Sequence, residues 1–138
     1  MAFDQTLTTS FKQDILLGVH DLETDTIKMA LFLATADLGA ATTTYSATGE
    51  TSGTGYTAGG KTLTGVTVLT SGTTAYVDFA DPSWDPAVFT ARGALIYNAS
   101  KSNKAIAVLD FGADKTAATT FTVQMPANTA TSALIRIS

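Results

Sequence analysis

The segment from Phe89 to Phe111 constrains the fold more than any other part of the chain. Two β-rich runs, Phe89–Asn98 and Lys104–Phe111, flank a polar Ala-Ser-Lys-Ser-Asn tip, a pattern that predicts a β-hairpin. Both runs are apolar enough for strands that are buried on both faces. Because an isolated hairpin is unstable in water, the remaining segments must pack against it.

Other segments also have strand character. Residues 25–35 alternate, with Ile27, Met29, Leu31 and Leu33 on one side and Thr26, Lys28, Ala30 and Phe32 on the other. Further strands are predicted at Gly65–Thr70, Thr74–Phe79, Thr120–Met125 and Ala133–Ile137. About seven short strands at this spacing indicate a mostly β fold, an antiparallel β-sandwich or jelly-roll-like barrel.

The N-terminal part is predicted to add one short helix. Residues 1–9 are polar and are expected to form a flexible arm, with an extended edge as the alternative. Ser10 can cap a helix that continues to about Asp21, with Phe11, Ile15, Leu16 and Val19 on its apolar face. Gly18 weakens this helix, so only two or three turns are expected. Residues 10–138 then form a single β-sandwich domain, a size that can bury a core without disulfides or metals.

Residues 40–63 form the least regular stretch and are predicted to be a long Gly-rich loop. Six glycines lie between positions 49 and 65, and the stretch lacks the period of a helix or a strand. Tyr45 and Tyr56 are its aromatic anchors, and Glu50 is its one charge before Lys61. Long irregular loops in small domains usually have a function or make contacts.

One nucleotide-binding motif matches inside this loop, but the residues on either side of it do not fit the motif. Gly55 to Thr62 fits the P-loop pattern, which must follow a buried strand and precede a helix whose N-terminus receives phosphates. The preceding residues are not strand-like and the following ones are β-branched, so no nucleotide binding is expected. Acids at Asp78, Asp81 and Asp85 are expected to be solvated turn residues, with a calcium site as the alternative.

No other pattern points to catalysis or a cofactor. The chain has no cysteine, which fits synthesis in a reducing cytoplasm, and its single histidine, His20, lies at the end of the predicted helix beside Asp21. Trp84, between two prolines, is either a core residue or an exposed anchor. Arg92, in an apolar strand, is expected at a rim or paired with Asp78 or Asp110. The protein is therefore predicted not to be an enzyme.

Charge limits the classes of partner. With 8 basic and 12 acidic residues scattered along the chain, the sequence lacks the basic cluster that nucleic-acid binding needs. No secretory signal or membrane-spanning run is recognised. Only 14% of the residues are charged, which favours a subunit whose faces are covered in an assembly over a low-charge monomer.

A longer pattern resembles a known class of viral protein. The run GExxGxGYxxGGxxL over residues 49–63 is followed by TTAYVDFADPSW, FTARGALIYNAS, AVLDFG and a closing ALIRIS. This pattern resembles small virion structural proteins of tailed bacteriophages, most closely the capsid decoration (cement) group. The similarity covers about residues 25–138, and its most specific part is the Gly-rich loop followed by the Ala-Arg-Gly-Ala-Leu-Ile-Tyr-Asn strand.

The resemblance implies a small β-sandwich without catalytic residues or cofactor, located on the outside of the capsid and made in the bacterial host cytoplasm. Its expected partners are the major capsid protein and further copies of itself, as a dimer or trimer. The predicted contacts are Phe3, Phe11, Tyr45, Glu50, Tyr56 and Trp84. Deleting residues 1–10 or replacing Tyr56 by alanine is expected to weaken capsid binding and leave the fold intact. The alternatives are a tail or head-fibre component, or a β-sandwich module that binds glycans or a host surface.

Overall fold

The computed structural model describes residues 4–138 and confirms a mostly β fold, antiparallel and β-sandwich-like, with one short N-terminal helix. In the described residues the elements follow one another as β1 Thr6–Leu7, α1 Thr9–Leu16, β2 Ile27–Phe32, β3 Lys61–Thr62, β4 Thr67–Ser71, β5 Thr74–Asp78, β6 Ser83–Trp84, β7 Phe89–Asn98, β8 Lys104–Ala117, β9 Phe121–Thr122 and β10 Ile135–Ile137.

The predicted central hairpin is confirmed as β7 and β8. These strands are neighbours in a five-stranded sheet of order β1-β8-β7-β2-β3, in which every pairing is antiparallel. The hairpin register is irregular at Ala91/Gly93 and at Ile96/Tyr97, where bulges bend and twist the paired strands. Two smaller sheets, of order β10-β5-β4 and β6-β9, complete the strand pairing.

The five-stranded sheet is buried on both faces, as the apolar hairpin runs predicted. One face contributes Met29, Leu31, Ala94, Ile96 and Ile106 to the larger core cluster, which also contains Trp84, Phe89 and Phe121. The opposite face contributes Ala30, Phe32, Leu95, Tyr97 and Val108 to a second cluster. The second cluster is completed by Ala36 and Leu38, from the segment between β2 and the Gly-rich loop, and by Tyr45 of the loop. The loop therefore covers the sheet face that the smaller sheets leave open.

The N-terminal prediction needs two corrections. Within the expected flexible arm, Thr6 and Leu7 pair with Val108 and Ala107, so this part of residues 1–9 is an extended edge strand of the main sheet. The helix starts earlier than predicted and ends before Asp21, although its eight residues agree with the short length expected from Gly18. Its N-cap is Thr8, whose hydroxyl accepts a hydrogen bond from the Phe11 amide, and the helix ends at Leu16. Thr8 displaces Ser10 as the cap because β1 delivers it, fully buried, to the start of the helix.

Several strand boundaries also differ from the prediction. β8 continues past Phe111 to Ala117, since its second half pairs with the start of β7. The segments predicted over residues 120–125 and 133–137 contain only the short strands β9 and β10. Residues 40–63 form the expected long loop, with one short strand, β3, at the end. Arg92 pairs with Asp110, one of its two expected partners, at 2.9 Å.

Candidate functional site

One carboxylate joins three points of the Gly-rich loop to one another. Glu50 accepts hydrogen bonds from the Tyr45 hydroxyl at 2.5 Å, the Tyr56 hydroxyl at 2.5 Å and the Gly59 amide at 2.8 Å. The Tyr97 hydroxyl of β7 donates to the Gly59 carbonyl at 2.6 Å. We call these five residues the Glu50 cluster. Three of the predicted contact residues, Tyr45, Glu50 and Tyr56, therefore lie together. Their hydroxyl and carboxylate groups bond one another.

Backbone pairing places Glu50 at the end of β2. Glu50 forms a β-bridge with Phe32, the Leu33 amide donates to Gly49 at 2.8 Å and the Thr51 amide donates to Leu31 at 3.0 Å. The Tyr56 hydroxyl in turn accepts from the Leu31 amide at 2.9 Å. The loop therefore satisfies backbone groups of a core strand, and it is part of the fold and not a free appendage.

Burial sets the protonation of the cluster. It raises the pKa of Tyr56 and of Tyr45 well above the ordinary value, and the hydrogen bonds to Glu50 raise both further. Burial also raises the pKa of Tyr97. The phenols consequently stay protonated across the physiological pH range, so Tyr45 and Tyr56 donate to the carboxylate and Tyr97 donates to the Gly59 carbonyl. This arrangement stabilises structure, because the hydroxyls and the carboxylate already satisfy each other.

Trp84 is a core residue, which corrects its prediction as a contact. It is 3% exposed and packs edge-on against Phe89 and Phe121, with Tyr56 on another side. The Lys61 ammonium lies 5.5 Å from the centre of its ring and donates to the Ser83 carbonyl. An aromatic side chain of this size is stable in the core because it buries about 150–250 Å² of surface there.

Phe11 is also buried, and its prediction as a contact is wrong for the same reason. It is 2% exposed and its ring lies 5.2 Å from the ring of His20. Phe3 lies outside the described residues. The expectation that residues 1–10 could be deleted without harm to the fold is overturned, since the deletion removes β1 and the buried cap Thr8. Replacing Tyr56 by alanine would likewise break the Glu50 cluster.

His20 lies in a polar network beneath α1 that the sequence did not reveal. The Asn98 side-chain amide donates to His20 Nδ1 at 3.0 Å and to Asp25 at 2.8 Å. Because Nδ1 accepts, the imidazole proton is on Nε2, which lies 3.8 Å from Asp14. Nε2 is buried and has no hydrogen-bond partner in the described residues. Lys101 and Lys104 approach Asp25 and Asp14 at the outer side of the network.

This network predicts a pH-dependent stability. Burial lowers the pKa of His20 below its usual 6.5, against the opposing attraction of Asp14 and Asp25, while Lys104 and Lys101 lower it further. The unfolded chain then binds the proton more tightly than the folded one. The free energy of unfolding should therefore fall as the pH drops below about 6.5, by at most about 1.4 kcal/mol per pH unit, and level off below the folded pKa. Urea unfolding between pH 5.0 and 7.5 measures this.

The matched variant for that experiment is His20→Gln, whose side-chain oxygen can still accept from Asn98. Its stability should lack the fall at low pH that His20 contributes to the wild type. Burial raises the pKa of Asp78, whose titration has the opposite sign, and the comparison between the two proteins removes that contribution. An equal slope in wild type and variant would show that His20 is not the group responsible.

An open apolar cleft of about 510 Å³ separates α1 and the following turn from the sheet of β4, β5 and β10. Phe11, Ile15 and Leu22 line one wall, and Val68, Val77 and Ile135 are among the residues that line the other. Asp21 and Glu23 contribute carboxylates to the lining, but the His20 side chain is fully enclosed. The lining of the cleft therefore includes two carboxylates and no accessible histidine.

Exposed apolar side chains are the surface feature that the sequence interpretation missed. Leu16 and Leu17 at the end of α1 are 87% and 68% exposed, although the predicted helix placed Leu16 on its buried face. Val68 and Leu69, on opposite faces of β4, are 48% and 45% exposed. The sequence did contain a signal for the exposed residues of β4. No charged residue lies between Thr62 and Val77, and the alternation of side chains gives β4 an apolar residue on each face.

No family model matches the chain, and no curated protein and no solved structure was found to be similar to it. Within residues 4–138, no group of three or more histidine or acidic side chains could hold a metal ion. No helix over this range has the length and apolar character needed to cross a membrane.

Proposed function

We propose that this protein is a bacteriophage virion structural protein, a decoration protein that binds the outside of the capsid and stabilises it. The observation that carries the proposal is the pairing of a tightly held β core with exposed leucines on a charge-poor surface. Such a surface suits a protein partner, because burial of apolar area drives most protein association. The resemblance of residues 25–138 to decoration proteins supplies the identity of that partner, the major capsid protein.

The Glu50 cluster supports this role by making the long loop rigid. A loop that is already ordered loses little conformational entropy when it docks, so more of the contact energy appears as affinity. A ligand that binds only the assembled shell shifts the equilibrium toward the intact capsid. Tyr45, Glu50 and Tyr56 then act by fixing the shape of the loop, and Phe11 and Trp84 act by supporting the core.

The end of α1 is the proposed contact with the capsid. Leu16 and Leu17 are adjacent, highly exposed and anchored through the helix to the buried cap Thr8. Burying two leucine side chains is worth about 1.5–3 kcal/mol each, enough for a tenfold or greater change in affinity.

Binding to assembled shells of the cognate major capsid protein tests the proposal. Cosedimentation should show wild-type protein at saturable occupancy, and the double variant Leu16→Asp with Leu17→Asp should reduce the affinity at least about tenfold. The variant should keep the wild-type circular dichroism spectrum, because neither side chain is buried.

Val88→Asp is the control, since it adds a negative charge at a residue that is also apolar and exposed but belongs to a different segment. Equal losses for both variants would point to a general effect of charge and contradict the α1 contact. Failure of wild-type protein to bind any shell would contradict the decoration role itself.

A glycan- or host-surface-binding module is the second candidate, favoured by one observation. Tyr76 is half-buried and lies beside the exposed Leu69 on the sheet face opposite the cleft, where an aromatic ring can serve as a platform for a sugar. Trp84, the other aromatic expected in such a groove, is in the core. A glycan array that returned a specific ligand, lost in Tyr76→Ala, would favour this candidate over capsid decoration. A tail or head-fibre role would instead place the protein on those parts of purified virions in immunogold labelling.

A further inference from the structure

Strand β4 is an open edge without the usual protection. All five of its residues, Thr67–Ser71, are exposed, and among the strands of residues 4–138 only β5 pairs with it. Natural edge strands are usually protected by lysine, proline, a bulge or a covering segment. The run from Thr62 to Val77 contains no charged residue and no proline, and the β4–β5 register has no irregularity. β4 is therefore an available template for another strand.

The hairpin turn determines which backbone groups are free. Gly72 and Thr73 form a two-residue loop between Ser71 and Thr74, with Gly72 at φ +59° as a type II′ turn requires. The closing pair of such a hairpin exchanges backbone hydrogen bonds, and bonded pairs alternate along the strands. Thr67, Leu69 and Ser71 therefore bond to β5. Val68 and Thr70 direct their N–H and C=O groups to the open edge.

We propose that two copies of the chain pair through β4, antiparallel, around a two-fold axis at Leu69. In this register Leu69 lies opposite Leu69 of the second copy, and Val68 lies opposite Thr70 of the second copy. The backbone groups that are free in the monomer, those of Val68 and Thr70, are the ones that this register bonds. The two small sheets become one six-stranded sheet of order β10-β5-β4-β4-β5-β10.

Both faces of the joined sheet have matching side chains. The register places Leu69, Tyr76 and Arg136 in one row, so the second copy continues it as leucine, tyrosine and arginine. Apolar side chains meet at the centre and the two arginines lie at the far ends. On the cleft face, the row Ile135, Val77 and Val68 continues into Thr70, Ala75 and Ile137 of the other copy.

A second copy fits this edge better than a different strand of the same protein. Pairing β4 with β10 of another copy would be head-to-tail, which closes only into a ring or grows into a fibre. β10 is also shorter and carries Arg136. A two-fold pair through β4 closes at two copies, and the uncharged strand meets itself without repulsion. This inference rests on the geometry of β4 alone and does not depend on the capsid role.

Single-cysteine variants test the register directly, since the chain has no cysteine of its own. Directly opposed residues of a non-bonded pair have Cα atoms about 4.5 Å apart, within the range of a disulfide. Leu69→Cys should form a disulfide-linked dimer under mild oxidation. Val68→Cys, whose copies are diagonal neighbours about 7–8 Å apart, should link at least about tenfold more slowly.

Sedimentation velocity supplies the second measurement. Wild-type protein should sediment as a dimer, and Leu69→Lys, which sets two lysines against each other, should sediment as a monomer with an unchanged circular dichroism spectrum. Leu17→Lys, at an exposed leucine outside β4, should remain dimeric. A wild-type monomer, a trimer, a dimer that survives Leu69→Lys, or equal linking of the two cysteine variants would overturn the proposal. None of these outcomes bears on binding to capsids, which is measured separately.

Discussion

Replacing Gly60 by alanine is expected to destabilise the protein by about 4 kcal/mol or more, the range reserved for severe steric or strain effects. Gly60 has φ +82°, and a Cβ there would lie 1.8 Å from the Met29 carbonyl oxygen and 2.7 Å from the Ala30 Cα. Both neighbours are backbone atoms of β2, in the centre of the core, so neither can rotate away. Urea denaturation followed by circular dichroism measures the loss, which approaches the total stability of a small domain.

Gly18→Ala is the matched control for this prediction. Gly18 also has a positive φ, +71°, but a Cβ there would have no atom within 4 Å. It should therefore cost only the intrinsic penalty of a left-handed conformation, about 1–2 kcal/mol. The difference between the two variants isolates the close approach of the loop to β2. Similar losses for both would mean that the loop does not lie this close to the strand.

Replacing Glu50 by alanine should have the second largest effect, a loss of about 3 kcal/mol in the free energy of unfolding. The change leaves two tyrosine hydroxyls and the Gly59 amide without their acceptor. Tyr97 would still bond Gly59 at its carbonyl, so the loop should loosen without detaching completely. Limited proteolysis should then cut within residues 40–63 faster than in wild type, in parallel with the lower unfolding midpoint.

Two variants separate the role of Glu50 from that of charge. Glu50→Gln keeps one acceptor oxygen for Tyr56 and Gly59, and its amide can donate to Tyr45, so the loss should be about 1 kcal/mol. Glu23→Ala removes an exposed carboxylate elsewhere and should change stability by less than about 0.5 kcal/mol. If Glu50→Ala were as mild as Glu23→Ala, the loop would be held by its backbone bonds alone.

Local pattern was sufficient to predict the centre of the fold. The β7–β8 hairpin follows from two apolar runs around a polar tip, and β7 has the predicted bounds, Phe89–Asn98. The double-sided burial of that region follows from its continuous apolar character. The strand over residues 25–35 was located correctly, and both of its alternating sides are covered. Part of the cover on one side comes from Tyr45 of the Gly-rich loop, which local period cannot show.

The start of the helix could not be predicted because a tertiary contact decides it. Ser10 and Thr8 are both acceptable N-caps by residue type, and only the pairing of β1 with β8 selects Thr8. The last residue of the helix could not be predicted from local sequence either. The helix stops at Leu16, so the apolar face predicted from Phe11 through Val19 buries Phe11 and leaves Leu16 in solvent.

The predicted contact residues were chosen by residue type, and residue type did not determine whether their side chains are exposed. The chosen aromatic and acidic side chains do lie near one another in the structure: Tyr45, Glu50, Tyr56 and Trp84. Three of them are hydrogen-bonded together and the fourth is enclosed by aromatic rings. The exposed residues are ordinary leucines and valines, whose position depends on where a helix ends or which strand lies at an edge. A single sequence contains no direct signal for where the helix ends, and for the edge strand it offers only the charge-free run from Thr62 to Val77.

The pairing of β1 with β8 has a consequence for synthesis. Thr6 meets Val108, so the N-terminal strand leaves the ribosome about a hundred residues before its partner exists. At a translation rate of about 5–20 residues per second, this delay is roughly 5 to 20 s. During that interval Phe11 and the apolar side chains of β2 have no sheet to cover them. The nascent chain should therefore be a client for holdase chaperones until the central hairpin emerges, even though the finished protein is compactly packed.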